Sequence, residues 1–152
     1  MSQQNIYDDK EFFNGYLKIR DKPLNYNELI EAPYIYTLLN KTYPNVLDLG
    51  CGFVFYSLYL AKKGSKVVAI DISSKMIEEA KKINSHPNII YKQSSIEEFS
   101  YQGNNLDLVI STLAFHYIKD LDPVIKKIWS MKDATIFSSY SQNGLLKQTW
   151  FS

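Results

Sequence analysis

The chain has 152 residues, 45% hydrophobic and 22% charged, which suits one soluble globular domain with a core of ordinary size and leaves no room for two. A formal net charge of +1 gives no electrostatic reason to expect nucleic acid as a partner. No apolar run approaches membrane-spanning length, which argues against a membrane partner.

The N-terminal stretch "MSQQNIYDDKEFF" has no basic region followed by an apolar one, so no secretory signal is read there. The first forty residues stand apart as a helical, aromatic segment carrying Phe12, Phe13, Tyr16, Tyr26, Tyr34 and Tyr36. "NVLDLG" (45–50) reads as a buried strand, and "YSLYLAKKG" (56–64) as a helix with Gly64 just past its end. "KVVAID" (66–71) is continuously apolar, as an interior parallel strand should be. Ser74 is positioned to cap a helix in which Met76, Ile77, Ala80 and Ile83 recur at helical spacing. "NIIYKQ" (88–93) is a third strand, "SIEEFS" a short turn or helix, and "LDLVIST" (106–112) a fourth strand. Asp122–Pro123 reads as a cap and first-turn pair opening a helix through Val124, Ile125, Ile128 and Trp129. "ATIFSS" (134–139) is a fifth strand, and the rest is weakly patterned.

This alternation implies right-handed βαβ units and a doubly wound, mostly parallel α/β sheet. The expected division is a helical lid over 1–40, a Rossmann-like binding domain over 41–140, and an irregular tail over 141–152. In such a sheet, ligands sit outside the carboxyl ends of the strands, at the switch point beside the first strand. "DLGCG" stands at that place, where Gly50 and Gly52 let the backbone approach a ligand and the next helix presents N–H groups to an anion. Asp71 ends the second strand, nineteen residues after Gly52, where a carboxylate accepts from ribose hydroxyls. A nucleoside-type ligand is the leading reading; the alternative is a domain whose glycines merely turn the chain. Phe55 stands where a dinucleotide fingerprint needs a third small residue, which argues against NAD.

Asp48 precedes the first glycine by two, giving D-x-G-x-G, and here the sequence resembles the class I S-adenosylmethionine-dependent methyltransferases. The likeness is closest to small methyltransferases of the type-11 group and runs from about Asn5 to Lys132 through "VVAIDISSKMIEEAKK", "YKQSSIEEF" and "LDLVISTLAFHYIKDLDPVIKKIWSMK". It implies S-adenosylmethionine as cofactor and a methyl acceptor, read as a small molecule. It implies a cofactor site of Asp48, Gly50, Cys51, Gly52, Asp71, Ile72, Met76, Ser95, Ile96 and Ser111. Asp71 would hold the ribose, Ile72, Met76, Ser95 and Ile96 the adenine, and Ser111 through His116 would border the transferring methyl. Val54 replaces the family's usual third glycine, and members generally carry two further strands beyond the fifth. The resemblance therefore implies a chain lacking those last strands, with strand five as an exposed edge open to self-association. A truncated, non-catalytic remnant that binds the cofactor weakly or not at all is the alternative function.

His116 is a general base or a loop histidine bonded to backbone, with the imidazole's titration range suiting the first role. Cys51 is better read as a small residue whose N–H faces the cofactor than as a nucleophile, since no histidine adjoins it in sequence. As the only cysteine it forms no internal disulfide, which fits a reducing, cytoplasmic location, and with His86 and His116 alone there is no zinc ligand set. Glu97–Glu98 and the pairs Lys81–Lys82 and Lys126–Lys127 read as solvated surface.

Overall fold

A computed structural model describes residues 3–22, 31–53, 55–103, 105–131, 134–142 and 145–151 of the chain. The expectations that fall on Tyr26, Val54 and Lys132 lie outside the described residues. A 3₁₀ segment, Gln3–Asp8, leads into α1 (Lys10–Arg20), and α2 (Ala32–Leu38) precedes β1 (Asn45–Leu49). There follow α3 (Tyr56–Lys62), β2 (Lys66–Asp71), α4 (Ser74–Ile83), β3 (Ile89–Gln93), β4 (Leu108–Thr112), α5 (Leu121–Ser130), β5 (Thr135–Gln142) and β6 (Leu145–Phe151). The sheet order is β3-β2-β1-β4-β5-β6. The first five of these strands run parallel, and β6 is antiparallel to β5.

Side-chain alternation divides each strand between two cores. Val46, Val67, Ala69, Leu108 and Ile110 face Ile35 and Leu39 of the α2 region and Leu60 of α3. Leu47, Leu49, Ile70 and Val109 face Val124 and Ile128 of α5 on the other side. Ile35 and Leu39 are fully buried in the first core, so α2 belongs to the central domain and the expected boundary at residue 40 runs through packed structure.

α3 ends in a Schellman arrangement: the Gly64 N–H donates to the Ala61 carbonyl and the Ser65 N–H to that of Leu60. Gly64 adopts φ +98, the left-handed conformation expected of it.

Three expectations are corrected. The cap of α4 is Ser73, whose Oγ accepts from the Met76 N–H, while Ser74 is the first helical residue. α5 starts at Leu121 after Asp120, which places Pro123 third in the helix. Its missing N–H is harmless there because first-turn N–H groups have no intrahelical partner. The expected irregular tail is instead the end of β5 followed by β6, paired from Ile136↔Phe151 to Gln142↔Leu145. The signal was present: Asn143–Gly144 is a hairpin dipeptide, and "LLKQTWF" is rich in strand-forming types. β5 is therefore not the sheet edge. One strand beyond β5 is thus present, and the end of the described sheet passes from β5 to β6.

Candidate functional site

The carboxyl ends of β1, β2 and β4 open onto a cavity of ≈ 300 Å³. Gly50, Cys51, Gly52, Asp71, Ile72, Met76, Ser95, Ile96 and His116, all expected site residues, line it. Asp48 and Ser111 do not reach it. Asp48 is 2% exposed beneath the turn, and its Oδ2 accepts from the Ser57 hydroxyl of α3 at 2.6 Å. Burial pushes its pKa up to about 7, with the Ser57 bond acting the other way. The Ser111 hydroxyl donates to the Leu49 carbonyl at 2.9 Å, tying β4 to the end of β1.

The glycine turn is held by β2. The Gly50 and Cys51 N–H groups both donate to the Ile70 carbonyl, at 2.9 and 2.8 Å. The Cys51 N–H thus turns to β2, not to the cavity as expected, and its thiol pKa is pushed well up by burial. Gly50 and Gly52 have φ +72 and +50, and a Cβ on Gly50 would come within 2.4 Å of the Ala114 Cβ. Glycine at 50 is required twice over, by backbone conformation and by the close approach of the loop after β4.

Asp71 is 9% exposed, and two backbone N–H groups hold its carboxylate: Gly52 donates to Oδ2 and Ser73 to Oδ1, each at 2.9 Å. The Ile72 N–H adds a lesser backbone bond, and the carboxylate, with about four lone-pair sites, keeps acceptor capacity beyond these. Burial, opposed by these bonds, raises the Asp71 pKa above the ordinary carboxylate value. Beside it lie the apolar side chains of Ile72, Met76 and Ile96. The segment carrying Ile96 is pinned by Lys127 of α5, whose ammonium donates to the carbonyls of Ile96, Glu97 and Phe99 at 2.8 to 2.9 Å. Lys127 is thus a buttress of the cavity wall, a role its helical spacing alone did not reveal.

The end of β4 supplies Thr112, and the loop after it Leu113, Ala114, His116, Tyr117 and Ile118. Leu113 has φ +53, a left-handed conformation that is strained for leucine, and its N–H donates to the Ser139 carbonyl of β5. His116 is exposed at the rim, its ring tilted on Tyr117 with centroids 4.1 Å apart. Partial desolvation lowers its pKa and keeps the imidazole neutral at physiological pH.

The N-terminal segment contributes to the cavity wall. The hydroxyls of Tyr7 and Tyr117 meet at 2.8 Å, and Tyr16 packs edge-on against Tyr7 and Phe53. Tyr7, Tyr16, Tyr56 and Glu31 also line the cavity, and so does Glu97, which the sequence reads as solvated surface. Sequence reasoning missed Glu31 because its defining contact spans 108 positions: the Ser139 hydroxyl donates to its Oε1 at 2.7 Å.

Comparison with known proteins agrees with this geometry. The family described as "Methyltransferase domain" matches residues 47–132, more than half of the chain. An uncharacterized protein of Haemophilus influenzae is 32% identical over 93% of this chain and 56% of its own length. The malonyl-[acyl-carrier protein] O-methyltransferase of Priestia megaterium is 30% identical over 91% of this chain and 53% of its own length. The solved structure of a Listeria monocytogenes protein, assigned as an S-adenosylmethionine dependent methyltransferase, is 34% identical. It superposes with TM-score 0.60 over 72% of this chain and 55% of that one. The chain spans about half the length of these relatives. The family match begins in the strand that carries the glycine turn and runs past the end of α5, and on it this chain belongs to the methyltransferase-domain family.

Proposed function

We propose that the cavity binds S-adenosylmethionine and that the protein transfers its methyl group to a small-molecule acceptor. The observation that carries this reading is Asp71, a nearly buried carboxylate at the end of β2. Backbone N–H groups orient it so that spare lone pairs remain for vicinal hydroxyls, while Ile72, Met76 and Ile96 offer an apolar slot beside it for a base. The donor set suits a neutral sugar and a flat aromatic group, so the residues present fit this cofactor. Asp48 and Ser111 act at one remove, as positioning residues under the turn and behind the loop.

The bound cofactor supplies an electrophilic methyl on a sulfonium. The protein's part is chiefly alignment and exclusion of water. The hydrogen-bonded Tyr7 and Tyr117 hydroxyls join two segments of the cavity wall, and Ala114 packs close to Gly50 of the turn. His116, neutral at the rim, is placed to take a proton from the acceptor. A cavity of ≈ 300 Å³ that must also hold the donor favours a small acceptor group.

Calorimetric titration with S-adenosylhomocysteine tests the reading. The chain is expected to bind with roughly micromolar affinity, and Asp71→Asn to weaken binding by about tenfold or more. Equal binding by a folded Asp71→Asn variant would overturn the ribose assignment. No binding by a folded wild-type chain would leave the non-catalytic alternative.

A further inference from the structure

The cavity wall holds a second buried carboxylate that the cofactor reading leaves without a role. Glu31 is 1% exposed, immediately precedes α2, and faces the cavity. Asp71 and Glu31 stand on opposite sides of the glycine turn. Asp71 ends β2, on one flank of β1, whereas Ser139, to which Glu31 is bonded, lies in β5 opposite Thr112 of β4 on the other flank. A donor anchored by its ribose at Asp71 runs along the turn at β1. The space over β4 and β5 is then what remains for the acceptor.

A carboxylate withdrawn from water requires compensation. Glu31 receives one hydroxyl bond from Ser139 and a weaker attraction from Arg20, yet burial outweighs both and raises its pKa. Of the described residues, Ser139 alone donates a hydrogen bond to this buried carboxylate. Tyr16 and Tyr56, whose hydroxyls feel its charge, line the same cavity.

We propose that Glu31 is the recognition point for a cationic nitrogen on the methyl acceptor. The proposal rests on the methyltransferase reading of the same cavity and adds the class of acceptor. A held ammonium has no lone pair and does not itself take the methyl. It serves as a handle, with the nucleophile elsewhere on the same molecule.

The test is calorimetry on protein saturated with S-adenosylhomocysteine, using 2-phenylethylamine and 2-phenylethanol as probes alike in shape and different in charge. The amine is expected to bind wild type about tenfold or more tightly than the alcohol. Glu31→Gln should erase that preference while S-adenosylhomocysteine affinity stays within about twofold. Equal affinity of the two probes for wild type overturns the proposal without any variant, as does an undiminished preference in folded Glu31→Gln. If Glu31→Gln weakens S-adenosylhomocysteine but not 5′-methylthioadenosine, Glu31 serves the donor's amino group and the acceptor assignment falls. Absence of S-adenosylhomocysteine binding by wild type is the distinct result that removes the underlying reading, and this proposal with it.

Discussion

Two glycines of this chain share a left-handed backbone but differ in what surrounds them, and the difference separates strain from sterics. Gly64 has φ +98 at the end of α3 and nothing near a built Cβ, whereas at Gly50, φ +72, that atom would lie 2.4 Å from the Ala114 Cβ. Gly64→Ala should therefore cost only the backbone term, about 1–2 kcal/mol. Gly50→Ala adds displacement of the loop after β4, so a loss of about 3 kcal/mol or more is expected, together with S-adenosylhomocysteine binding. Urea denaturation of both variants checks this. Equal costs would show that the Gly50–Ala114 approach is relaxed easily. Gly50 was legible from the spacing of D-x-G-x-G, because a turn that narrow restricts residue types locally. The second reason for it, Ala114, was not legible, because it depends on how β4 pairs with β1 sixty positions along the chain.

Asp8 fastens the N-terminal segment to the start of α4, beside the Tyr7–Tyr117 bond and the packing of Tyr16 on Phe53. Asp8 ends the N-terminal 3₁₀ segment, and its Oδ1 accepts from the Ser73 hydroxyl at 2.7 Å and the Lys75 N–H at 3.3 Å, while the Lys75 ammonium donates to its carbonyl. Ser73 in turn caps α4 and donates its own N–H to Asp71, so the N-terminal segment, the helix cap and the site carboxylate form one chain of bonds. Asp8→Ala should loosen the N-terminal segment at a cost of about 1 kcal/mol, with little effect on the central sheet. Hydrogen exchange should then quicken over residues 9–20 and not over β1 or β4; uniform quickening would contradict a local attachment. The amphipathic character of this segment was readable from its aromatic residues. Its docking partner was not, because a capping side chain supplied from 65 positions away leaves no periodic mark. The pairing of β5 with β6 was not legible from periodicity, because the segment after "ATIFSS" is weakly patterned, although its strand-forming residue types point to a strand.

For the molecule as a whole, the alternation of strands and helices made the sheet legible, since βαβ handedness leaves few topologies. What sequence could not show was which charges that topology buries, and those charges decide how stability follows pH. Asp48, Asp71 and Glu31 all have pKa values raised by burial, so across and above the ordinary carboxylate range the folded state holds more protons than the unfolded one. Stability contributed by such groups is full below the unfolded pKa and is lost as pH rises through the folded one. Asp8 has the opposite sign. Burial alone would raise its pKa, but bonds from Ser73, Asn5, Lys75 and Ser74 hold it low, so its contribution is present above the ordinary carboxylate value and fades in acid. The strongest case is Asp48, shifted from 3.8 to about 7. Asp48→Asn keeps an oxygen to accept from Ser57 and removes the buried charge. Its stability relative to wild type should grow by about 2–3 kcal/mol between about pH 5 and about pH 8. Urea melts at the two pH values measure this directly. A constant difference would mean that Asp48 is not the group whose ionisation opposes folding, and a variant less stable than wild type at the higher pH would mean that the charge itself holds the turn.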